Sequence, residues 1–419
     1  MVQAAFPFSF PFVLQPSQAF ASAPLGLATL GRSSAANAAS ATSAASAASL
    51  ADAPAAAPPD ALSQTGFDIG WDHARHRLTP PVAHLPVESP VRQGWSAGRR
   101  ALGVRTRRPT AAVRQWLNLR LLAWQHGQAF EAVQVTPNFL AQIDASHCPV
   151  SRTPLLLDSG RSNDATVQRL NQQAAYAAGN LAFTSVAVAQ ARGAMDCQAL
   201  LTLAQRLAET PEQPVRGLDA ETWLRLAVLT SFATPLPHAQ AACLPLRVLP
   251  PNRVRVINPV QALQVMLTLQ FSQAGYARRL LTLSALMPSS DVRQVFQIFM
   301  HTLLARRLAA GQSLDRRATL VAMEDSWADT LVNRRWQRLA MRLTPADCEQ
   351  LLARAQQRGL CVGGGRWLSA DQATEGWQLA KAEPAEADQS CKWGAPMPMP
   401  TPALAPSISR HLGSQKLAS

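Results

Sequence analysis

Between residues 184 and 358, apolar side chains recur at helical spacing in one segment after another, and most segments carry their own start or stop signal. Helices are expected over 184–209, 219–233, 259–272, 275–287, 290–310, 315–342 and 345–358. The 315–342 segment is the best defined. Its stripe is Leu320, Met323, Trp327, Leu331 and Leu339, with Glu324, Asp325 and Asp329 early and Arg334, Arg335, Arg338 and Arg342 late. That order complements the helix dipole. Thr344-Pro345 opens the next helix and Gly359 closes it. Upstream, Val113, Trp116, Leu117, Leu121 and Trp124 mark a helix over 110–126 that stops at Gly127, and Thr136-Pro137 starts a short helix ending near Ser146. Cys361–Leu368 reads as a small hairpin turning at Gly363-Gly364-Gly365, followed by a capping box at Ser369 and Gln372.

The ends have no such pattern. Residues 1–66 carry only Arg32, Asp52 and Asp60 as charges, and 34–57 is almost wholly alanine and serine. So little large apolar surface cannot offset the entropy of ordering, which predicts a disordered tail. In 382–419, Pro396, Pro398, Pro400, Pro402 and Pro406 remove backbone donors and favour extended, solvated chain. The expected organisation is a 1–66 tail, a 67–109 basic linker, a 110–209 region containing a helix and an irregular insert, a 210–381 helical domain and a 382–419 proline-rich tail. The fold class is mainly α, with a small ββα-like insert. A hydrophobic content of 47% with 16% charged residues suffices for a sizeable core in 419 residues.

A formal charge of +13 and an isoelectric point near 10.7 favour acidic partners. The charge is almost all arginine, since Lys381, Lys392 and Lys416 are the only lysines, a bias typical of a GC-rich bacterial genome. None of the six cysteines forms a CxxC pair, so they read as mostly buried free thiols of a reducing, cytoplasmic compartment. Secretion is the alternative, because FPFSFPFVL (6–14) is apolar and AFASA (19–23) offers small residues; against it, no Lys or Arg precedes Arg32. No run of about 18 apolar residues occurs, which speaks against a membrane partner.

One stretch is uniformly positive. Arg92, Arg99, Arg100, Arg105, Arg107, Arg108, Arg114 and Arg120 fall between Glu88 and Glu131 with no acid among them. Gly98, Gly103 and Pro109 suggest an irregular arm leading into a helix. Such an arm can neutralise phosphates by counterion release without fixed geometry. The plainer alternative is a solvated basic linker.

The second candidate runs from His147 to Gly193. CPVSRTPL (148–155) is followed by Arg169, Asn171, Tyr176 and Gly179-Asn180-Leu181, then by a helix with Arg192. In order and spacing this resembles a subgroup of HNH-type endonucleases, whose ββα-metal, treble-clef-like core pairs a "CPv…pL" turn with "SxDRxdN…gYxpGN(V/L)" and a helix carrying "N..K". The resemblance implies a structural role for Cys148, Pro149, Asn171, Tyr176, Gly179 and Asn180, phosphate contact by Arg169 and Arg192, and catalytic candidates in His147 and Asn180. It also implies Mg²⁺ or Mn²⁺ if the reaction is retained. Two positions depart from it: Gln168 replaces the acid, and Ala189 replaces the helix Asn. A neutral amide is a poor Mg²⁺ ligand and alanine is none, so no metal ligand is assigned. Asp158 and Asp164 are the only nearby substitutes.

Other features are plainer. The triple glycine lacks the Lys-Ser/Thr of a phosphate loop. Glu324 and Asp325, being adjacent, face different sides of a helix and fit a first-turn dipole role. His301 reads as a packing residue, and Trp116, Trp124, Trp327 and Trp336 as core. No small-molecule cofactor is expected. Three functions remain open: a non-catalytic nucleic-acid-binding protein on a degenerate HNH-like module, a divalent-metal nuclease with rearranged ligands, and a helical protein-interaction scaffold.

Overall fold

The computed structural model describes residues 59–209, 214–311, 315–361 and 367–379, all in one compact unit. The Ala/Ser-rich stretch, the proline-rich stretch and the Gly363–Gly365 turn lie outside the described residues. The fold is mainly helical, with a single two-stranded sheet among the described residues. No helix among them is long and apolar enough to cross a membrane.

The N-terminal part corrects the expected boundaries. Pro59–Arg75 (α1) and Pro90–Leu102 (α2) are helices in residues read as tail and linker. The sequence carries the reason in its glycine spacing: Gly66 and Gly70 are four apart on α1, as are Gly94 and Gly98 on α2. A β-carbon on Gly70 would stand 1.9 Å from the Val91 carbonyl oxygen, and one on Gly94 would stand 1.9 Å from that of Phe67. The two backbones therefore touch, as small-xxx-small pairs allow. Each glycine costs about 1 kcal/mol of helix propensity. Close Cα–H···O and van der Waals contact along the seam offsets that cost. The contacts advance together from Gly66–Pro90 to Ala74–Gly98, so α1 and α2 run parallel.

Ala111–Gln125 (α3) starts at Thr110, whose hydroxyl accepts from Val113 N–H at 3.3 Å. It packs antiparallel to α1: the Trp124 indole donates to Leu62 O at 2.7 Å at one end, and Arg120 pairs with Asp72 nearer the other. Pro137–Ile143 (α4) begins at its expected cap, Thr136, and stops three residues before Ser146.

Ala165–Arg169 (β1) and Leu181–Ser185 (β2) form an antiparallel ribbon with Val167 opposite Phe183 and Arg169 opposite Leu181. Every residue of β2 is buried. Val186–Arg192 (α5) follows at once, capped by the Ser185 hydroxyl. The single helix expected over 184–209 is thus two. Gly193, at φ +55°, ends α5, and Asp196 accepts from Ala199 N–H to start Cys197–Glu209 (α6).

The remaining helices are Ala220–Ser231 (α7), His238–Cys243 (α8), Pro259–Leu269 (α9), Tyr276–Leu286 (α10), Ser290–Ala309 (α11), Arg316–Asp325 (α12), Thr330–Ala340 (α13), Pro345–Gln357 (α14) and Ala370–Ala373 (α15). Most match the expected segments, and Ser369 with Gln372 makes its capping box. The helix expected over 315–342 is broken. Asp329 bonds the N–H groups of Leu331 and Val332 and so starts α13 anew, which turns Trp327 wholly inside.

The break also reassigns Glu324 and Asp325. They end α12, where the dipole disfavours acids, and Arg152 holds both, at 3.0 and 2.7 Å. Trp327 and Trp336 meet Phe299 in the core at centroid separations of 5.8 and 5.5 Å. Trp116 and Trp124 are only partly buried, and His301 is exposed.

One apolar cluster extends from Cys148 to Trp377, so the boundary expected at 209/210 does not divide the core. The physical reason is that α6 packs on α7 and α5 on the ribbon, leaving no solvated seam between them. Cys148, Cys197, Cys348 and Cys361 are free thiols, whereas Cys243 is disulfide-bonded.

Candidate nucleic-acid interface

The registers of α1, α2 and α3 gather arginine at one end of the N-terminal helices. Because α1 and α2 are parallel, their last turns, with Arg75 on one and Arg99 and Arg100 on the other, finish side by side. Cations there complement two helix dipoles at once. The 103–110 connection folds back onto this end. Arg107 N–H donates to Arg75 O at 2.8 Å, and Arg77 Nε bonds the Thr106 hydroxyl. The antiparallel α3 brings its first turn, with Arg114, to the same end. Arg75, Arg77, Arg99, Arg100, Arg105, Arg107, Arg108 and Arg114 are all exposed there.

Arg75 and Arg77 are not part of the expected arginine run. The signal that reaches them is the Gly-xxx-Gly spacing, which sets the parallel pair. Arg120 does not belong to the surface: it pairs with Asp72 and lies over the Trp116 ring at 4.5 Å. Arg92 is exposed and donates to Leu85 O at 2.9 Å.

The 147–193 hairpin is built the other way, with its polar groups turned inward. Asn180 is fully buried. Its Oδ1 accepts from Asn171 N–H at 2.8 Å, and its Nδ2 donates to the carbonyls of Asn171 and Ala175, both at 3.0 Å. Both amide hydrogens are used, and no solvent reaches the group. Asn180 therefore pins the 170–180 loop and cannot orient a water, which corrects its place among catalytic candidates. Asn171 continues the network to Gln173 N–H and Ala233 O. Gly179 sits at φ +92° and a β-carbon there would stand 2.3 Å from Arg255 Cδ, so both conformation and space demand glycine.

Cys148 and Pro149 set the turn, Cys148 with a buried sulfur. Its Sγ accepts from Ser151 N–H at 3.5 Å and from Ser185 N–H at 3.4 Å, fastening the turn to β2. Tyr176 stacks on Phe130 at 6.4 Å, and the Arg169 guanidinium lies over its ring at 4.6 Å.

Arg192 is a correction to the phosphate-contact assignment, and Arg169 is half-buried and partly engaged within the hairpin. Arg169 donates to Ala174 O at 2.9 Å, and burial lowers its pKa. Arg192 is 2% exposed. It donates to the carbonyls of Arg169 at 2.6 Å and Leu170 at 2.7 Å, and burial pulls its pKa down to about 10. A guanidinium so placed holds the hairpin onto α5 and offers nothing to a phosphate.

His147 stands apart from Asn180. Its ring bonds Ser146 on one side and the Arg317 guanidinium on the other, and partial burial followed by Arg317 lowers its pKa. Asp164 faces the 159–161 loop, where the Ser159 hydroxyl and the N–H groups of Ser159 and Gly160 hold its carboxyl below the usual range. The expected participants are thus dispersed. Among the described residues no group of three or more His, Cys, Asp or Glu side chains comes together as a metal would need.

No family model, curated protein or solved structure matches this chain.

Proposed function

We propose that this protein binds nucleic acid, without chemistry of its own, through the arginine-lined end of α1, α2 and α3. The observation that supports this reading is the exposure of eight arginines on one small surface. Helix register holds them there, and six of them come from the stretch between Glu88 and Glu131, which has no acidic residue. Contacts of this kind go to phosphates, so they position a duplex or a strand without reading its sequence. In this reading the 147–193 hairpin is a frame whose polar residues hold the loop closed.

The test is fluorescence anisotropy with a labelled duplex of generic sequence. Affinity should fall by about two to three orders of magnitude between 50 and 200 mM salt, since roughly five phosphates are neutralised. Replacing Arg105, Arg107 and Arg108 together by alanine should weaken binding at 50 mM salt about tenfold and flatten the salt slope, with the thermal midpoint unchanged because all three are exposed. Binding that ignores salt, or that the triple variant leaves intact, would overturn the proposal.

A further inference from the structure

Among the described residues three arginines lie over aromatic rings: Arg120 over Trp116 at 4.5 Å, Arg169 over Tyr176 at 4.6 Å and Arg99 over Trp95 at 4.9 Å. The first two are engaged inside the protein, Arg120 by Asp72 and Arg169 by Ala174 O. Arg99 is exposed, and its guanidinium meets no protein acceptor among the described residues. We propose that Arg99 is a stacking position for an unpaired base, so that the arginine-lined end takes single-stranded nucleic acid in preference to duplex. The inference rests on the nucleic-acid reading and names its ligand class.

Trp95 and Arg99 are four residues apart on α2, so their side chains lie one above the other on the same face. The indole is fixed, because its Nε1 donates to Leu78 O at 3.0 Å and ties α2 to the chain that leaves α1. A planar guanidinium drawn onto a fixed ring gives up part of its rotamer freedom before any ligand arrives. Such a group has two faces. Trp95 lies against one, and the exposure of Arg99 leaves the other to solvent. A base laid on that outer face completes a ring–cation–ring stack, as guanidinium planes do for splayed bases.

Only an unpaired base has a face to give. In a duplex the bases cover one another's faces, and their edges alone reach the grooves. The surrounding charge agrees with a strand. Its arginines stand at helix ends and on the 103–110 connection, not along a helix face of the kind that duplex readers lay in the major groove. Duplex DNA is stiff over about 150 base pairs, so a small surface meets the phosphates of one side only. A single strand bends, and it brings successive phosphates to the neighbouring arginines while one base lies on Arg99.

The test compares a labelled strand of mixed sequence, without self-complementarity, with its own duplex by fluorescence anisotropy at 50 mM salt. The strand should bind about tenfold more tightly. Arg99→Lys keeps the charge and loses the plane, so the strand-to-duplex affinity ratio should fall about tenfold. In Arg100→Lys that ratio should hold. Removing the bases from the strand, with every phosphate kept, should abolish the difference between the native chain and Arg99→Lys. Equal affinity for strand and duplex would overturn the proposal and leave the nucleic-acid reading standing. So would a ratio that the two lysine variants change alike, or an Arg99→Lys loss that persists on the abasic strand. Failure to bind either strand or duplex would overturn both together.

Discussion

Gly70→Ala should destabilise the N-terminal helices by about 2 kcal/mol, although alanine is the better helix former. The new methyl would stand 1.9 Å from the Val91 carbonyl oxygen and 2.7 Å from Trp95 N. Those are backbone atoms of a neighbouring helix, so no side-chain rotation relieves the clash and α2 must move. Overpacking of this kind costs about 1–3 kcal/mol, and alanine recovers up to about 1 kcal/mol of propensity. The net lies toward the upper end because the seam is rigid on both sides. Gly70→Val should remove the pairing altogether.

A helical signal by circular dichroism and a urea midpoint measure the loss. Since Arg75, Arg99 and Arg100 are brought together by the parallel register, duplex affinity should fall with it. Gly275 is the control. It sits in the left-handed region at φ +78°, ψ +15°, and a β-carbon there meets only the Arg279 guanidinium, at 3.6 Å. Gly275→Ala should therefore cost only about 1 kcal/mol of backbone strain. If Gly70→Ala is as stable as Gly275→Ala, the two helices are not in backbone contact.

Asn180→Ala should cost about 3 kcal/mol or more of global stability. It leaves Asn171 N–H and the carbonyls of Asn171 and Ala175 without partners in a place that water does not reach. Each such group costs about 1–3 kcal/mol. Asn180→Asp should be no milder, because it keeps the acceptor, removes both donors and places a carboxylate where burial disfavours charge. The measurement is equilibrium urea unfolding of the full chain. A residue of a working centre, poised on water or metal, would behave in reverse: its alanine variant would lose activity and keep its midpoint. An unchanged midpoint for Asn180→Ala would return the residue to the catalytic candidates.

Local signals in the sequence carry far. Thr110, Thr136, Asp219, Thr344 and Ser369 each cap the helix that follows, and Gly127, Gly193 and Gly359 adopt positive φ at helix ends. A cap is a contact over three residues, so neighbouring sequence is enough to specify it. Two of the misread segments failed for the same reason in opposite senses. In 315–342 the apolar stripe continues through Trp327, so periodicity alone cannot reveal that Asp329 caps a new helix. In 67–109 the glycines look like breakers until a second helix lies against them. Glycine lowers helix propensity in isolation, and it is favoured only where another backbone approaches that face.

What the sequence determined by itself was local: the mainly helical class, the caps, the ribbon-and-helix order of 165–192 and the one-signed arginine run. The tertiary structure decided which of those arginines face solvent. Arg169 and Arg192 look as basic as Arg105 or Arg107 in the sequence, yet Arg192 is 2% exposed and bonded to two backbone carbonyls, while Arg105 and Arg107 stand in solvent. A charge is a property of the residue, whereas its availability depends on burial, which distant segments impose. Asn180 makes the same point. The Gly-Asn pair marks a turn wherever it occurs, but only the packed loop determines that this amide has every hydrogen bond satisfied and none left for chemistry.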